Sequence, residues 1–193
     1  MLINTHMIIA SNLLNYANSK KVYLINKKRF IWGNIKPDCT PKYKLVKHYY
    51  DESYDMIIDK IKELGSLSIS DILFDYGKGK FSEELGVICH FLCDYFCLPH
   101  YGRWEFKKSM KKHVVYENNL SKIAKVYKPA YYIDGDINIS DIGNFINRNL
   151  EIYKKNQGYK NDLEYSYFIC NSVINVILNK VMKNEYLKER KVG

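Results

Sequence analysis

The sequence predicts an all-α fold, a single helical domain spanning residues 1–193. Apolar residues recur at helical spacing through most of the chain, the period of a helix with one buried face. Glycine and proline are sparse, at 10 and 4 residues. Pro37, Pro41, Pro99 and Pro129 all fall between apolar-periodic segments, as they would between helices. Strand-like alternation is nearly absent, and YYIDGDINIS (131–140) is the one short stretch that shows it.

The spacing predicts helices over residues 5–18, 21–31, 41–48 and 52–64, then 68–77, 81–98, 104–125, 139–155 and 161–186. His6 opens the first, and His48 closes a segment that begins KPDCTPKYK. In DESYDMIIDKIKEL, Met56, Ile57, Ile61 and Leu64 share one face, while Asp51 and Glu52 suit an N-terminal end. Pro99 is expected to end the 81–98 helix and leave His100 on the turn that follows. The segment DLEYSYFICNSVINVILNKVMKN is apolar on most sides and suits a central packing helix. The final KNEYLKERKVG has the look of a charged, solvated tail.

Composition narrows the setting. No run of about 18 uninterrupted apolar residues appears, which argues against a membrane span. The start, MLINTHMIIASNLLNYANSKK, has no basic region before a short, broken apolar stretch, so a cytoplasmic protein is expected. Five cysteines, an odd number, read as free thiols, with Cys89, Cys93 and Cys97 packing as small hydrophobes. The formal net charge of +9 fits a lysine-coated surface, and it also suits attraction to phosphate esters, nucleic acid or an anionic membrane.

The chemistry concentrates in VICHFLCDYFCLPHYGRWEFKKSMKKHVVYE, residues 87–117. Three of the five histidines lie there, and two of them have an acid four residues on: His90 with Asp94, His113 with Glu117. On a helix that spacing puts imidazole and carboxylate on one face. Two antiparallel helices joined by the turn at His100 would bring five ligand-type side chains together, and nitrogen and oxygen donors of this kind suit zinc. A single such pair is usually a surface pair or a satisfied core histidine; two pairs with a histidine between them are harder to dismiss. His6, followed by MIIA, and His48, followed by two tyrosines, are candidates for the same site.

The order Asp38, His48, His90-x3-Asp94-x5-His100-x12-His113-x3-Glu117, preceded by His6, resembles the bacterial zinc-dependent phospholipase C family, whose fold is shared with fungal single-strand nucleases. The resemblance covers roughly residues 1–120 by motif, and the chain leaves no room for the C-terminal β-sandwich domain of some family members. It implies three zinc sites, two of them better supported. Asp38, His48, His90 and Asp94 would hold the first ion; His100, His113 and Glu117 the second; His6, a bridging Asp94 and the Met1 amine and carbonyl the third. Met1 stands where the family carries a tryptophan exposed by signal-peptide cleavage. Asp38 is implied as the group that orients or deprotonates the attacking water; its own setting after Pro37 would otherwise suit a cap or turn. Cys39 stands where choline-lipid hydrolases place an aromatic residue, while Tyr49, Tyr50, Tyr95, Tyr101 and Trp104 could line a pocket.

The expected activity is zinc-dependent hydrolysis of a phosphodiester, with a phospholipid headgroup as one substrate class. The alternatives are a single-strand nuclease or nucleotidase of the same fold and a non-catalytic zinc-binding helical protein. A closed four-ligand structural site does not need nine ligand residues. A ferritin-like di-iron bundle is excluded because its paired Glu-x-x-His motifs are missing.

Overall fold

The computed structural model describes residues 1–16, 22–44, 46–104, 106–130 and 137–192. Helices run over α1 (Ile3–Tyr16), α2 (Lys27–Cys39), α3 (Pro41–Lys44), α4 (Tyr50–Ser66) and α5 (Lys78–Tyr95). They continue as α6 (Leu98–Tyr101), α7 (Phe106–Ala124), α8 (Ile142–Tyr153) and α9 (Tyr159–Val192). A π-helical segment, Asp71–Tyr76, precedes α5, and a 3-10 turn, Ile139–Asp141, precedes α8. No strand occurs among the described residues, as the all-α reading expects.

The core forms around α5, where no residue from Leu85 to Tyr95 is exposed. Phe81, Leu85, Ile88 and Leu92 of α5 are fully buried, as are Phe30 of α2, Ile57 and Ile61 of α4, and Val173 and Ile177 of α9. Helices α2, α4 and α9 pack around α5, and α1 packs on α2, α7 and α9. The last helix is buried on most sides through its middle, which is why its sequence shows no narrow apolar stripe.

The closest packing joins α2 to α5. A Cβ on Gly33 would overlap the Glu83 carbonyl, and one on Gly86 would overlap the Phe30 carbonyl. Only hydrogen at both positions lets the two backbones approach this far. Ion pairs seal the solvent edge, with Glu83 taking Lys36 at 2.5 Å and Arg29 at 3.2 Å.

Several boundaries differ from the sequence expectation. The helix expected over 21–31 instead runs from Lys27 to Cys39, with Pro37 inside it. A proline there forfeits the bond to the carbonyl four residues back, which belongs to Gly33. Thr40 closes the end, its N–H and Oγ1 each donating to the Lys36 carbonyl at 3.0 Å. Among the described residues of the 41–48 segment, helix covers Pro41–Lys44, and His48 lies on a loop. Pro99 does not end α5, which stops at Tyr95; it starts α6, in whose first turn a missing N–H costs nothing.

Of the strand candidate 131–140, residues 131–136 lie outside the described residues, and its end enters the 3-10 turn. The expected solvated tail is helical through Val192. Glu185 accepts from Ser70 N at 2.8 Å and Lys188 reaches Asp71 at 2.9 Å, so this end clamps the π-helical segment.

Gly86→Ala should lower the unfolding free energy by about 1–3 kcal/mol in urea titrations, because the methyl group must push α2 away from α5. An unchanged midpoint would mean that the crossing is looser than described.

Candidate metal centre

His90 and Asp94 share one face of α5 and are both fully buried. His90 Nδ1 lies 2.7 Å from the Asn34 carbonyl of α2. A carbonyl only accepts, so it holds the proton on Nδ1 and turns the bare Nε2 towards the site. The two oxygens of Asp94 then divide the neighbourhood. Oδ2 faces His48 Nδ1 at 3.0 Å and His90 Nε2 at 3.3 Å. Oδ1 meets the Met1 α-amine, His6 Nε2 at 3.3 Å and His100 Nε2 at 3.6 Å.

Asp38, in the last turn of α2, points into the site. Its Oδ1 lies 3.7 Å from both His48 Nδ1 and His90 Nε2. Asp38 is thus helical, where a cap or turn was the other expectation, and its carboxylate faces the histidine cluster. His100 comes from α6, and His113 and Glu117 from the inner face of α7. Glu117 Oε1 sits 3.2 Å from His100 Nε2 and 3.0 Å from His113 Nε2. His113 Nδ1 is 3.2 Å from the Trp104 carbonyl, which sets that ring as Asn34 sets His90. The Met1 amine lies 2.9 Å from His100 Nε2 and 3.3 Å from Glu117 Oε1, so it joins the two halves.

All nine residues singled out in the sequence meet here. The imidazoles form a chain: His6 stacks on His90 at 4.0 Å, His90 meets His48 at 4.9 Å, His48 faces His100 at 6.3 Å, and His100 meets His113 at 5.4 Å. Helices α5 and α7 do not form the simple antiparallel pair expected. Helix α7 packs chiefly on α1 and α9, and α6 carries His100 between the two halves.

The electrostatics follow from burying three acids together. Burial opposes charge on Asp94, but His100, the Met1 amine, His90 and His6 outweigh it and hold the carboxylate well below its usual range. Glu117 is likewise held low against burial, by the amine and its two histidines. Burial alone would lower His6, yet Asp94 pushes it up to about 9. For His90 burial prevails and, with His6 beside it, depresses the imidazole. Asp38 is pushed up by burial and by the Asp94 charge.

The donors suit a metal. Three groups have ligand atoms within 4.8 Å of one another: His6, Asp38 and His90; His48, His90 and Asp94; His100, His113 and Glu117. Among the described residues neither ring nitrogen of buried His6 makes a well-formed hydrogen bond, Nε2 lying only in ion-pair range of Asp94, and His100 Nδ1 has no partner. Such orphaned nitrogens are costly unless an ion or solvent takes a lone pair. The donors are imidazole nitrogen and carboxylate oxygen, the set zinc accepts, and they fit that ion. The centre opens to a cavity of about 450 Å³ bounded by Met1, Asp38, Lys47, His48, Tyr49 and His113.

A family model described as zinc dependent phospholipase C matches residues 5–160. The match runs beyond the stretch of about 120 residues that carries the recognisable motif. No curated protein and no solved structure matches the chain.

Some supporting residues left no readable signal in the sequence. The Asn34 and Trp104 carbonyls are backbone groups, which any residue type could supply. Asp162 reads as an ordinary acid in the first turn of the last helix, yet it is fully buried. It accepts from Leu98 N at 3.1 Å and Tyr116 OH at 2.9 Å through one oxygen, and from Tyr153 OH at 2.6 Å through the other. Leu98 opens the helix of His100, and Tyr116 precedes Glu117, so this carboxylate fixes both. Burial pushes its pKa up, against these donors.

Asp162→Asn turns donors towards donors and should cost about 1–3 kcal/mol in chemical denaturation. Tyr153→Phe, which leaves the Leu98 and Tyr116 bonds intact, should cost less. Equal losses would mean that the tie to Leu98 and Tyr116 carries no weight of its own.

Proposed function

The chain belongs to the zinc-dependent phospholipase C family, and from that premise we propose that it is a zinc-dependent hydrolase of phosphoric diesters. The observation that carries this reading is the convergence of three ligand groups on an open cavity rather than a closed shell. A structural zinc site needs four ligands and no mouth.

His48, His90, Asp94 and Asp38 would hold one ion, and His100, His113 and Glu117 a second. His6, Asp94 and the Met1 amine would hold a third. Bound zinc supplies a water of lowered pKa and polarises phosphoryl oxygens. The protein groups do the rest. Asp94 is too deeply buried to meet substrate and serves as a bridge between ligand sets, whereas Asp38 keeps about a quarter of its side chain exposed at the cavity edge. A carboxylate at that edge can both orient the attacking water and take its proton, and Asp38 is assigned this role. The cavity admits a phosphodiester with a small headgroup. Exposed Cys39 offers no aromatic wall to a quaternary ammonium, which argues for a headgroup other than choline.

A nuclease reading has one observation in its favour. Tyr49, Tyr50, Tyr95 and Tyr101 line a recess of about 280 Å³ that shares Tyr49 and His100 with the metal-centre cavity. Aromatic walls of this kind suit stacked bases. Parallel assays on a short-chain phospholipid and a single-stranded oligonucleotide decide between the two readings.

Chelation should lower the melting temperature by about 10 °C and abolish hydrolysis of a generic phosphodiester, because the buried acids then lose their cations. An equally stable, equally active apo protein would sink the metal reading. Asp38→Asn should lower kcat by about 100-fold, within the range of general-base losses, while elemental analysis still finds at least two zinc ions. Near-normal turnover would remove Asp38 from the reaction. In a chain starting at Met1, a tag fused ahead of it replaces the amine by an amide with no lone pair to offer. Zinc content and turnover should both fall; equal values in tagged and untagged protein would strike Met1 from the ligands.

A further inference from the structure

Between Phe106 and Ala130 the chain carries seven lysines and one acid, Glu117, which is buried in the metal centre. The outer side of α7 is therefore purely cationic, with Lys111, Lys112 and Lys122 exposed on the helix and Lys125 and Lys128 just beyond it. Among these lysines stand apolar side chains in water: Met110 at 50% exposure, Val115 at 51%, Val126 at 78%, and Val114. Helix α1, which packs against α7, adds exposed Ile3 and Met7. Six of the fourteen large exposed hydrophobics among the described residues thus belong to α1 or to α7 and its end, a clustering that scattered surface residues would not show. Lys112 lies 4.1 Å over the Trp104 ring, and a cavity of about 610 Å³ opens beside them, lined also by Val115 and Tyr159.

We infer that the outer face of α7 is a docking surface for an anionic lipid bilayer. Lysines without acids are drawn to a negative headgroup layer. Aliphatic side chains gain by entering the boundary beneath it, while an amphipathic helix lies flat in that plane. Sequence-independent nucleic-acid binding makes no use of methionine and valine and wants open aromatic platforms, whereas Trp104 and Tyr159 here are only partly exposed and Lys112 covers Trp104. His113 and Glu117 project from the opposite side of the same helix, so docking holds the metal centre about one helix diameter, ~10 Å, from the lipid. The inference rests on the proposed function for its purpose, since it supplies the surface on which a lipid diester would be met.

Zinc-loaded protein should be sedimented with vesicles of phosphatidylcholine alone and of phosphatidylcholine with about 30% phosphatidylserine. It should partition at least about tenfold better to the anionic vesicles, and high salt should reduce that preference. Lys111→Glu with Lys122→Glu should cost about tenfold or more. Met110→Ser with Val115→Ser should cost several-fold at unchanged melting temperature. None of these residues lines the metal-centre cavity, so hydrolysis of a soluble short-chain diester should stay unchanged. That assay reports on the proposed function alone, and partitioning on the docking face alone. Equal binding to both vesicles, or variants that partition like the parent, would overturn the inference. Capture of an oligonucleotide in place of anionic vesicles, lost in the lysine variant, would overturn it in favour of a nucleic-acid surface.

Discussion

The carboxylate of Asp94 is the constraint on which the rest depends. It is buried in the middle of the domain, where an uncompensated charge would be prohibitive. Two histidines and the terminal amine surround one oxygen and two histidines the other, His100 being the most remote of them. These groups come from the N-terminal stretch, the loop at His48, α5 and α6, so the domain must close around Asp94 for the charge to be tolerated. Protons and metal ions compete for the same lone pairs. The raised pKa of His6 and the depressed pKa of Asp94 express that competition, and a bound cation would replace the protons that balance the acids.

Two structural devices hold the ligands still. On one side the glycine crossing of α2 and α5 brings the Asn34 carbonyl to His90 and swings Asp38 over the same point. On the other, Asp162 gathers the start of α6 and the middle of α7, and so spaces His100 from Glu117. The centre is thus assembled from two halves that different helices support, with Asp94 and the Met1 amine at the seam. Such a seam keeps the halves in register while leaving the Asp38 side open to substrate.

The helix that closes one half also faces outward. Helix α7 gives His113 and Glu117 to the interior, and lysine with aliphatic side chains to the solvent. On the proposed reading, one amphipathic element would couple the chemistry to the surface on which its substrate is presented. In this arrangement the high positive charge has a location, where composition alone describes only a sum.

The sequence by itself determined the helical class, the two histidine–acid pairs and the donor types of the candidate centre, because these depend on period and residue identity over short spans. It also sufficed to join His6, Asp38 and His48 to the set through family resemblance, though nothing local to those residues demanded it. Helix ends were misplaced where tertiary packing overrode local signals. Pro37 sits inside α2, which packs tightly on α5 at Gly33, and Pro99 lies in the first turn of α6 rather than ending α5. Only the tertiary structure decided which oxygen of Asp94 faces which histidine, that backbone carbonyls of Asn34 and Trp104 fix two rings, and that Asp162 is buried. Those are contacts between residues far apart in the chain, often through backbone atoms that every residue shares. The identity of a side chain says what it can bind; which partner it meets is set by how the helices cross.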